Sequence, residues 1–257
     1  MKNKLFLFIV LLVLFVFGIL IYDFSDKMDS VLTDNKWYFN DNNDIYILSL
    51  KNNKFNLTNE EGEKALEYRN CNSFQYNSNV SRLKLKCDGV IKKIYISSYD
   101  DNSLVLNENG EEKSFYSSKE LALIEHFKRV NELSNDEYEN LLSINFNEDL
   151  FISYKEFIKL YKNKKSFYIG LVSNNINYEN VYNYQVLNNL ITNSTKKFYL
   201  INVDNLNEKE LSKLKSLTNI DNYENKVYIY EVKNKTIKCK VIIDAISKND
   251  LENYQNI

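Results

Sequence analysis

Residues 35–118 contain many short segments in which apolar and polar residues alternate, and this pattern predicts β-strands. Arg82–Cys87 alternates cleanly and leads into Asp88-Gly89, the strongest short hairpin signal in the chain. Asn52-Asn53 and Asn109-Gly110 separate further runs, because asparagine and glycine tolerate a positive φ angle. Roughly eight short strands at this spacing predict a meander that closes as a small antiparallel barrel or sandwich.

After residue 118 the apolar spacing changes from two residues to three or four. Leu121, Ile124 and Phe127 recur every third position, which indicates one face of a helix. Ser134 stands three residues before Glu137, the spacing of a capping box at the start of a second helix. Residues 119–147 are therefore predicted to form a helical connector.

Residues 148–257 alternate between strand and helix patterns. The six apolar or small residues of Phe167–Val172 indicate a buried strand. A short strand is expected at 150–152, a helix at 178–191, and a strand hairpin at 226–243. The order is β-α-β-α-β-α-β-β-α, which predicts an α/β domain with parallel strands first and an antiparallel hairpin at the end.

That order resembles the thioredoxin fold, and the closest likeness is at the end of the chain. Val227–Tyr230, Cys239–Val241 and Ala245–Tyr254 resemble the last two strands and the final helix of thioredoxins. Phe167–Val172 is similar to the strand that precedes the redox motif in thioredoxin-like accessory proteins of Gram-positive bacteria. The resemblance covers residues 148–257.

The resemblance places the two cysteines of the redox motif at Asn174 and Asn177. It also places the family's cis-proline at about Lys226, but the chain contains no proline. Disulfide exchange needs a thiolate that attacks and a second thiol that resolves, and asparagine supplies neither. The resemblance therefore implies the fold without the redox activity.

A second resemblance concerns the start of the β region. The residues of Asn35–Tyr38 resemble the opening of a lipocalin-like barrel, although the glycine that usually precedes the tryptophan is missing.

An uninterrupted apolar run of 18 residues, Leu5–Tyr22, contains no charged side chain. This length is just enough to cross a bilayer, so the run predicts a transmembrane signal-anchor. Lys2 and Lys4 precede it, which predicts a cytoplasmic tail at 1–4, a linker at 23–34 and all later residues outside the cytoplasm. A cleaved signal peptide and a buried core helix are the alternatives.

Cysteines can form lasting disulfides outside the cytoplasm. Cys71 and Cys87 lie in two neighbouring strand patterns, and a disulfide between them is expected. Two separate thiols are the alternative. Cys239 shares one face of a strand pattern with Ile237, Val241 and other apolar residues, which predicts a buried side chain.

Charge and composition exclude several classes of protein. The chain has 33 basic and 35 acidic residues, without the basic excess of a nucleic-acid binder. His126 is the only histidine, so neither a zinc site nor a hydrolase triad is expected. No glycine-rich phosphate loop is present in the sequence. We therefore expect no metal, no cofactor and no catalytic residue.

The predicted fold class is α+β overall. Its parts are an N-terminal transmembrane helix, a small antiparallel β barrel or sandwich, a helical connector and a C-terminal thioredoxin-like α/β domain. The predicted function is a single-pass, extracytoplasmic binding or scaffolding component of the cell envelope with a protein partner there. The alternative function is a thiol-disulfide oxidoreductase that uses Cys71 and Cys87 as a labile pair.

Overall fold

The computed structural model describes residues 30–41, 44–220, 223 and 225–254. These residues divide into two compact units between His126 and Phe127. Each unit has its own hydrophobic core.

The first unit is a closed barrel of eight antiparallel strands in sequence order, so the predicted β barrel is confirmed. Residues 30–34 are helical and precede it. The barrel closes where Tyr38 of the first strand pairs with Tyr116 of the last. The strands are β1 Lys36–Asp41, β2 Asp44–Lys51, β3 Lys54–Asn59, β4 Cys71–Asn77, β5 Arg82–Cys87, β6 Val90–Tyr99, β7 Ser103–Glu108 and β8 Glu111–Tyr116.

Three tight hairpins hold the barrel strands in register, at the positions that the sequence predicts. The turn residues are Asn52-Asn53, Asp88-Gly89 and Asn109-Gly110, and all six have a positive φ. Two successive positive φ angles define the turn whose twist matches that of the flanking strands. In a chain without proline and with five glycines, asparagine and aspartate supply most of these conformations.

Alternation along each strand separates the barrel interior from its outer wall. In β5, Leu83, Leu85 and Cys87 are buried, whereas Lys86 between them is exposed. Trp37 of β1 is fully buried in the same core. Burial of each such apolar side chain stabilises the fold by about 1.5–3 kcal/mol.

The second unit contains a four-stranded mixed sheet and most of the helices. Its strands are β9 Phe167–Val172, β10 Phe198–Asn202, β11 Val227–Lys233 and β12 Thr236–Ile243. The α-helices of the described chain beyond residue 34 are α1 Lys119–Val130, which spans the division between the units, α2 Asn135–Leu142, α3 Tyr154–Lys162, α4 Val181–Asn193 and α5 Glu208–Thr218. Short 3-10 helices occur at Leu66–Tyr68, Ser78–Val80, Glu148–Leu150, Val203–Asn205 and Lys248–Tyr254.

The strand order of this sheet is β10-β9-β11-β12. β9 and β10 are parallel, β11 runs antiparallel to β9, and β12 completes an antiparallel hairpin with β11. Capping boxes begin three of the helices, at Ser134, Ser153 and Asn207. In each, the cap side chain and a glutamate satisfy backbone N–H groups that have no partner within the helix.

The predicted fold class is wrong in one part, the transmembrane helix. In the described part of the chain, no helix is long and apolar enough to cross a membrane. The longest helix given above, α4, has 13 residues and spans about 20 Å, against a hydrocarbon core of about 30 Å. The predicted span at residues 5–22 lies outside the described residues. The fold class is therefore an eight-stranded barrel followed by a small mixed sheet with helices.

The predicted short strand at 150–152 is also not a strand. Phe151 makes a single parallel bridge with Leu200 of β10. The chain leaves a 3-10 helix at Leu150 and enters the cap of α3 at Ser153, which leaves no room for a longer ladder.

Candidate functional site

The two asparagines at the predicted redox-motif positions lie in the loop between β9 and α4. The backbone N–H of Asn174 donates to Oδ2 of Asp204 over 2.7 Å, and the hydroxyl of Ser173 donates to the same oxygen over 2.6 Å. The side-chain amide of Asn202 donates to Oδ1 of Asn174. The Asn174 side chain therefore links the carboxyl ends of the two parallel strands.

Asn177 has a different structural task in the same loop. Its Oδ1 accepts a 2.8 Å hydrogen bond from the backbone N–H of Glu179. Its own N–H donates to Oδ1 of Asn180, which precedes α4, over 2.9 Å. This arrangement is an Asx turn that leads the chain into the helix.

The Tyr184 side chain of α4 holds the start of this loop by two hydrogen bonds to the backbone of Ser173. Its hydroxyl donates to the carbonyl of Ser173 over 2.5 Å and accepts from the Ser173 N–H over 2.9 Å. Burial raises the pKa of Tyr184 to about 12, so the phenol stays protonated near neutral pH. The hydrogen bonds that hold this loop involve side-chain hydroxyl, carboxylate and amide groups. The loop contains no cysteine and therefore no thiol nucleophile.

Lys226, at the place where the resemblance puts a cis-proline, precedes β11 and forms an ion pair with Asp244. The Nζ–Oδ2 distance is 2.5 Å, and both side chains are more than two-fifths exposed. The hydrogen bond to Asp244 raises the pKa of Lys226.

Cys239 is exposed, so the prediction of a buried thiol is wrong. A β-bulge in the β11–β12 hairpin separates Cys239 from Val241 and Ile243, the buried residues at the end of β12. Tyr230 pairs with Cys239 while Ile229 pairs with Val241, so Lys240 is an extra residue. Tyr230 and Ile229 are successive residues of β11, so their side chains point to opposite faces of the sheet. Cys239 and Val241 therefore also point to opposite faces, although they are two residues apart in the sequence.

The predicted disulfide is confirmed: Cys71 and Cys87 are bonded to each other. They are paired directly across β4 and β5, and both are buried in the barrel core. The bridge joins two residues that are 16 positions apart in the sequence.

A cavity of about 290 Å³ lies inside the barrel, at the end where β7 and β8 meet in a hairpin. Its floor is apolar and includes Leu48, Phe55, Leu106 and Phe115. Its volume is near the lower end, roughly 300 Å³, of the range that small-molecule sites occupy.

Charged side chains form the wall of the cavity above this floor. We call Tyr68, Lys92, Glu108 and Lys113 the rim cluster. The Tyr68 hydroxyl donates to Oε2 of Glu108 over 2.5 Å, and Nζ of Lys92 is 3.4 Å from Oε1 of the same carboxylate. Nζ of Lys92 also lies 4.7 Å from the centre of the Tyr68 ring. A cation over an aromatic face is attracted to it.

The rim cluster extends outward through Lys113. Its Nζ is 2.7 Å from Oε2 of Glu67, and this hydrogen bond lowers the pKa of Glu67. Burial and the hydrogen bond to Glu108 raise the pKa of Tyr68, so this phenol is protonated at neutral pH. Glu67 and Tyr68 belong to the 3-10 helix between β3 and β4, which is thereby attached to the barrel wall.

Sequence reasoning missed this site, although the strand alternation contains a signal for it. Lys92 precedes buried Ile94 by two residues, and Glu108 follows buried Leu106 by two. Residues two apart on a strand share a face, so charges at these positions face inward. Charged residues on an inward row are unusual unless they have a function.

His126 lies on α1 and is partly exposed. Among the described residues, no group of three or more His, Cys, Asp or Glu side chains is arranged to hold a metal ion.

Comparisons of the chain with protein-family models, with curated proteins and with solved structures find no match. The thioredoxin-like and lipocalin-like resemblances therefore stay predictions.

Proposed function

We propose that this chain is a non-catalytic binding or scaffolding protein that works outside the cytoplasm as an accessory component of the cell envelope. In this proposal its second unit is a thioredoxin-like domain without redox activity. One observation carries the proposal: Asn174 and Asn177, at the motif positions, are used to hold the loop after β9.

The arrangement of the sheet supports the thioredoxin-like part of the proposal. A parallel pair, β9 and β10, is followed by an antiparallel hairpin, β11 and β12, which are the two halves that the resemblance implies.

The remaining thiol is poorly suited to replace a redox motif. Cys239 is on β12, which β11 separates from β9 in the sheet. Although Cys239 is exposed as a residue, its thiol group is partly shielded from solvent, and this partial desolvation raises the thiol pKa and lowers the fraction of reactive thiolate. A second thiol to resolve a mixed disulfide is missing, because the other two cysteines of the chain are bonded to each other.

The Cys71–Cys87 bridge supports a location outside the cytoplasm, because disulfides persist in oxidising compartments. Alkylation of intact cells before lysis, followed by mass spectrometry of the chain, tests this location. We expect both cysteines to be protected from the alkylating reagent until a reductant is added. Recovery of both as alkylated thiols would place the chain in a reducing compartment and overturn the proposal.

The alternative, an oxidoreductase that uses Cys71 and Cys87 as a labile pair, makes a different prediction for the same bridge. The two cysteines are 1% and 6% exposed, and a buried disulfide is poorly accessible to an attacking thiolate. Titration of the folded protein with dithiothreitol separates the two functions. Our proposal predicts that the bridge opens only when the barrel unfolds, whereas opening in the folded barrel would favour the oxidoreductase.

The binding role is tested by chemical cross-linking in intact cells. We expect a cross-linked protein partner from the cell envelope that is present in stoichiometric amounts. Recovery of the chain without any cross-linked protein would contradict a scaffolding role.

A further inference from the structure

One side of the barrel's outer wall presents cations in rows that contain no acidic residue. Residues directly opposite each other in an antiparallel ladder point to the same face, so the strand register shows which outward side chains are neighbours. Three such rows cross this side of the barrel. We call them the basic wall: Lys51, Lys54, Ser73, Lys86 and Ile91 across β2 to β6; Gln75, Lys84 and Lys93 across β4 to β6; and Asn77, Arg82 and Tyr95 across the same three strands.

The basic wall has six cations, and within the described part of the chain none of them forms an ion pair. Lys92 and Lys113 of the same barrel, by contrast, each have a glutamate partner. Two carboxylates stand at the border of the wall: Asp88 in the turn between β5 and β6, and Glu112, which lies beyond Tyr95 in the third row. Because the chain has 33 basic and 35 acidic residues, these cations are segregated on one face and do not reflect a general excess.

The wall also places like charges directly against each other. Lys84 is opposite Lys93, and Lys51 is opposite Lys54. Like charges at directly opposed positions destabilise a sheet. Nε of Arg82 is buried and has no hydrogen-bond partner in the described structure. Local arrangements that lower stability are expected at functional sites, so the wall is a candidate binding surface.

Exposed apolar side chains lie on β6 beside these cations. Val90 is 64%, Ile91 58% and Tyr95 45% exposed. A soluble anion would leave these side chains in water. A lipid surface accepts both kinds of group, because cations bind at the head groups while apolar and tyrosine side chains lie at the acyl boundary. The combination therefore favours a lipid surface over a soluble anion.

We propose that the basic wall docks the barrel on the surface of a membrane that contains anionic phospholipids. The lysines and the arginine bind head-group phosphates, and Ile91 and Tyr95 contact the boundary beneath them. The wall spans roughly 19 Å across its five strands and 13 Å along them, from the usual strand spacing and rise. Each cation near an anionic leaflet strengthens such binding by roughly fivefold. This surface goes beyond the proposed function, and its failure would leave the assays of disulfide chemistry unaffected.

The test on the unaltered chain is the rate at which each lysine is acetylated by a water-soluble amine reagent in the presence of vesicles, measured by mass spectrometry. This readout is local to the wall, whereas total vesicle binding would also report the apolar run at residues 5–22. Phosphatidylglycerol vesicles should slow acetylation of Lys84, Lys86 and Lys93 at least fivefold relative to phosphatidylcholine vesicles. About 0.5 M sodium chloride should remove the difference by screening. Equal rates on the two kinds of vesicle would overturn the proposal.

The exposed lysines of α3 provide an internal control in the same experiment. Lys155, Lys159 and Lys162 are exposed and share their helix with Glu156. Their rates should differ by less than about twofold between the two kinds of vesicle. Slowing of α3 and of the wall to the same extent would show a general effect of anionic vesicles and contradict docking by the wall.

Two double variants that remove equal charge locate the contact. Lys84→Gln/Lys93→Gln should reduce the slowing at Lys86 to less than about twofold. Lys155→Gln/Lys159→Gln should leave the slowing at Lys86 unchanged. Equal effects of the two variants would mean that the wall is not the docking surface.

Inorganic polyphosphate without vesicles separates a lipid surface from a soluble source of phosphate. At equal phosphate concentration it should slow acetylation of Lys86 less than phosphatidylglycerol vesicles do, because Val90 and Ile91 stay in water. Ile91→Ser should weaken the effect of the vesicles and leave that of polyphosphate unchanged. Equal or greater slowing by polyphosphate would assign the wall to a soluble polyanion and overturn the proposal.

Discussion

Lys92 and Lys93 are neighbours on β6, yet Lys92 lines the barrel cavity while Lys93 is exposed on the outer wall, opposite Lys84 of β5. A strand turns successive side chains to opposite faces, so two chemically identical residues have different environments. Lys92 contacts a buried phenol and a partly buried carboxylate.

The disulfide should be the strongest single constraint on the barrel. The double variant Cys71→Ala/Cys87→Ala should lose roughly 2–5 kcal/mol of unfolding free energy, because the unfolded chain regains the freedom of the closed loop. Trp37 is the only tryptophan and lies in the barrel core, so its fluorescence during urea unfolding reports this unit. Cys239→Ser, at an exposed position, should change the free energy by less than about 0.5 kcal/mol. Equal stability of the parent and the double variant would refute a structural role for the bridge.

The barrel should lose stability in alkaline solution because of Tyr68. Its pKa in the folded barrel lies above that of an unfolded tyrosine, about 10, owing first to burial and then to the hydrogen bond to Glu108. A raised pKa in the folded state means that Tyr68 contributes its full stabilisation below pH 10 or so and loses it as the pH rises further. Glu67 also raises this pKa, and Lys92 and Lys113 lie over the same ring.

The measurement is the urea stability of the barrel between pH 8 and pH 11, followed by Trp37 fluorescence. The parent chain should become less stable over the upper part of this range, and Tyr68→Phe should show a shallower decline. Parallel curves for the two proteins would mean that Tyr68 ionises equally in the folded and unfolded chains.

Gly170 allows a close approach between β9 and β10. A Cβ atom there would lie 2.9 Å from Cδ2 of Leu200 and 3.3 Å from Cε1 of Phe198, and both of these side chains are buried. Gly170→Ala should therefore destabilise the second unit by about 1–3 kcal/mol through overpacking. Thermal unfolding followed by circular dichroism measures this loss. In a Leu200→Val background the same substitution should cost less, and strictly additive losses would exclude the contact as the cause.

The barrel was more predictable from the sequence than the second sheet, for reasons that particular residues show. Asp88-Gly89 and Asn109-Gly110 specify tight turns locally, and the clean alternation of Arg82–Cys87 fixes which side chains face the core. These signals need no information from distant parts of the chain. The register they fix also brings Cys71 opposite Cys87.

The errors arise where local alternation stops being a guide. The bulge at Lys240 places Cys239 and Val241 on opposite faces of β12, and no residue type in β12 predicts a bulge at this position. The cavity escaped detection for another reason: Tyr68 reaches Glu108 from a 3-10 helix 40 residues earlier in the chain. Such a contact depends on closure of the whole barrel.

The central claim is that the chain does not catalyse disulfide exchange, and the most direct test is the reduction of insulin by the full chain in the presence of dithiothreitol. We expect the rate to equal the uncatalysed rate, because asparagines, Asn174 and Asn177, stand where the thioredoxin-like resemblance would place the two redox cysteines, and the thiol of Cys239 has a raised pKa. A rate above the uncatalysed one that is lost in Cys239→Ser would contradict the account and make Cys239 a nucleophile. The same excess lost only in Cys71→Ala/Cys87→Ala would establish the oxidoreductase instead.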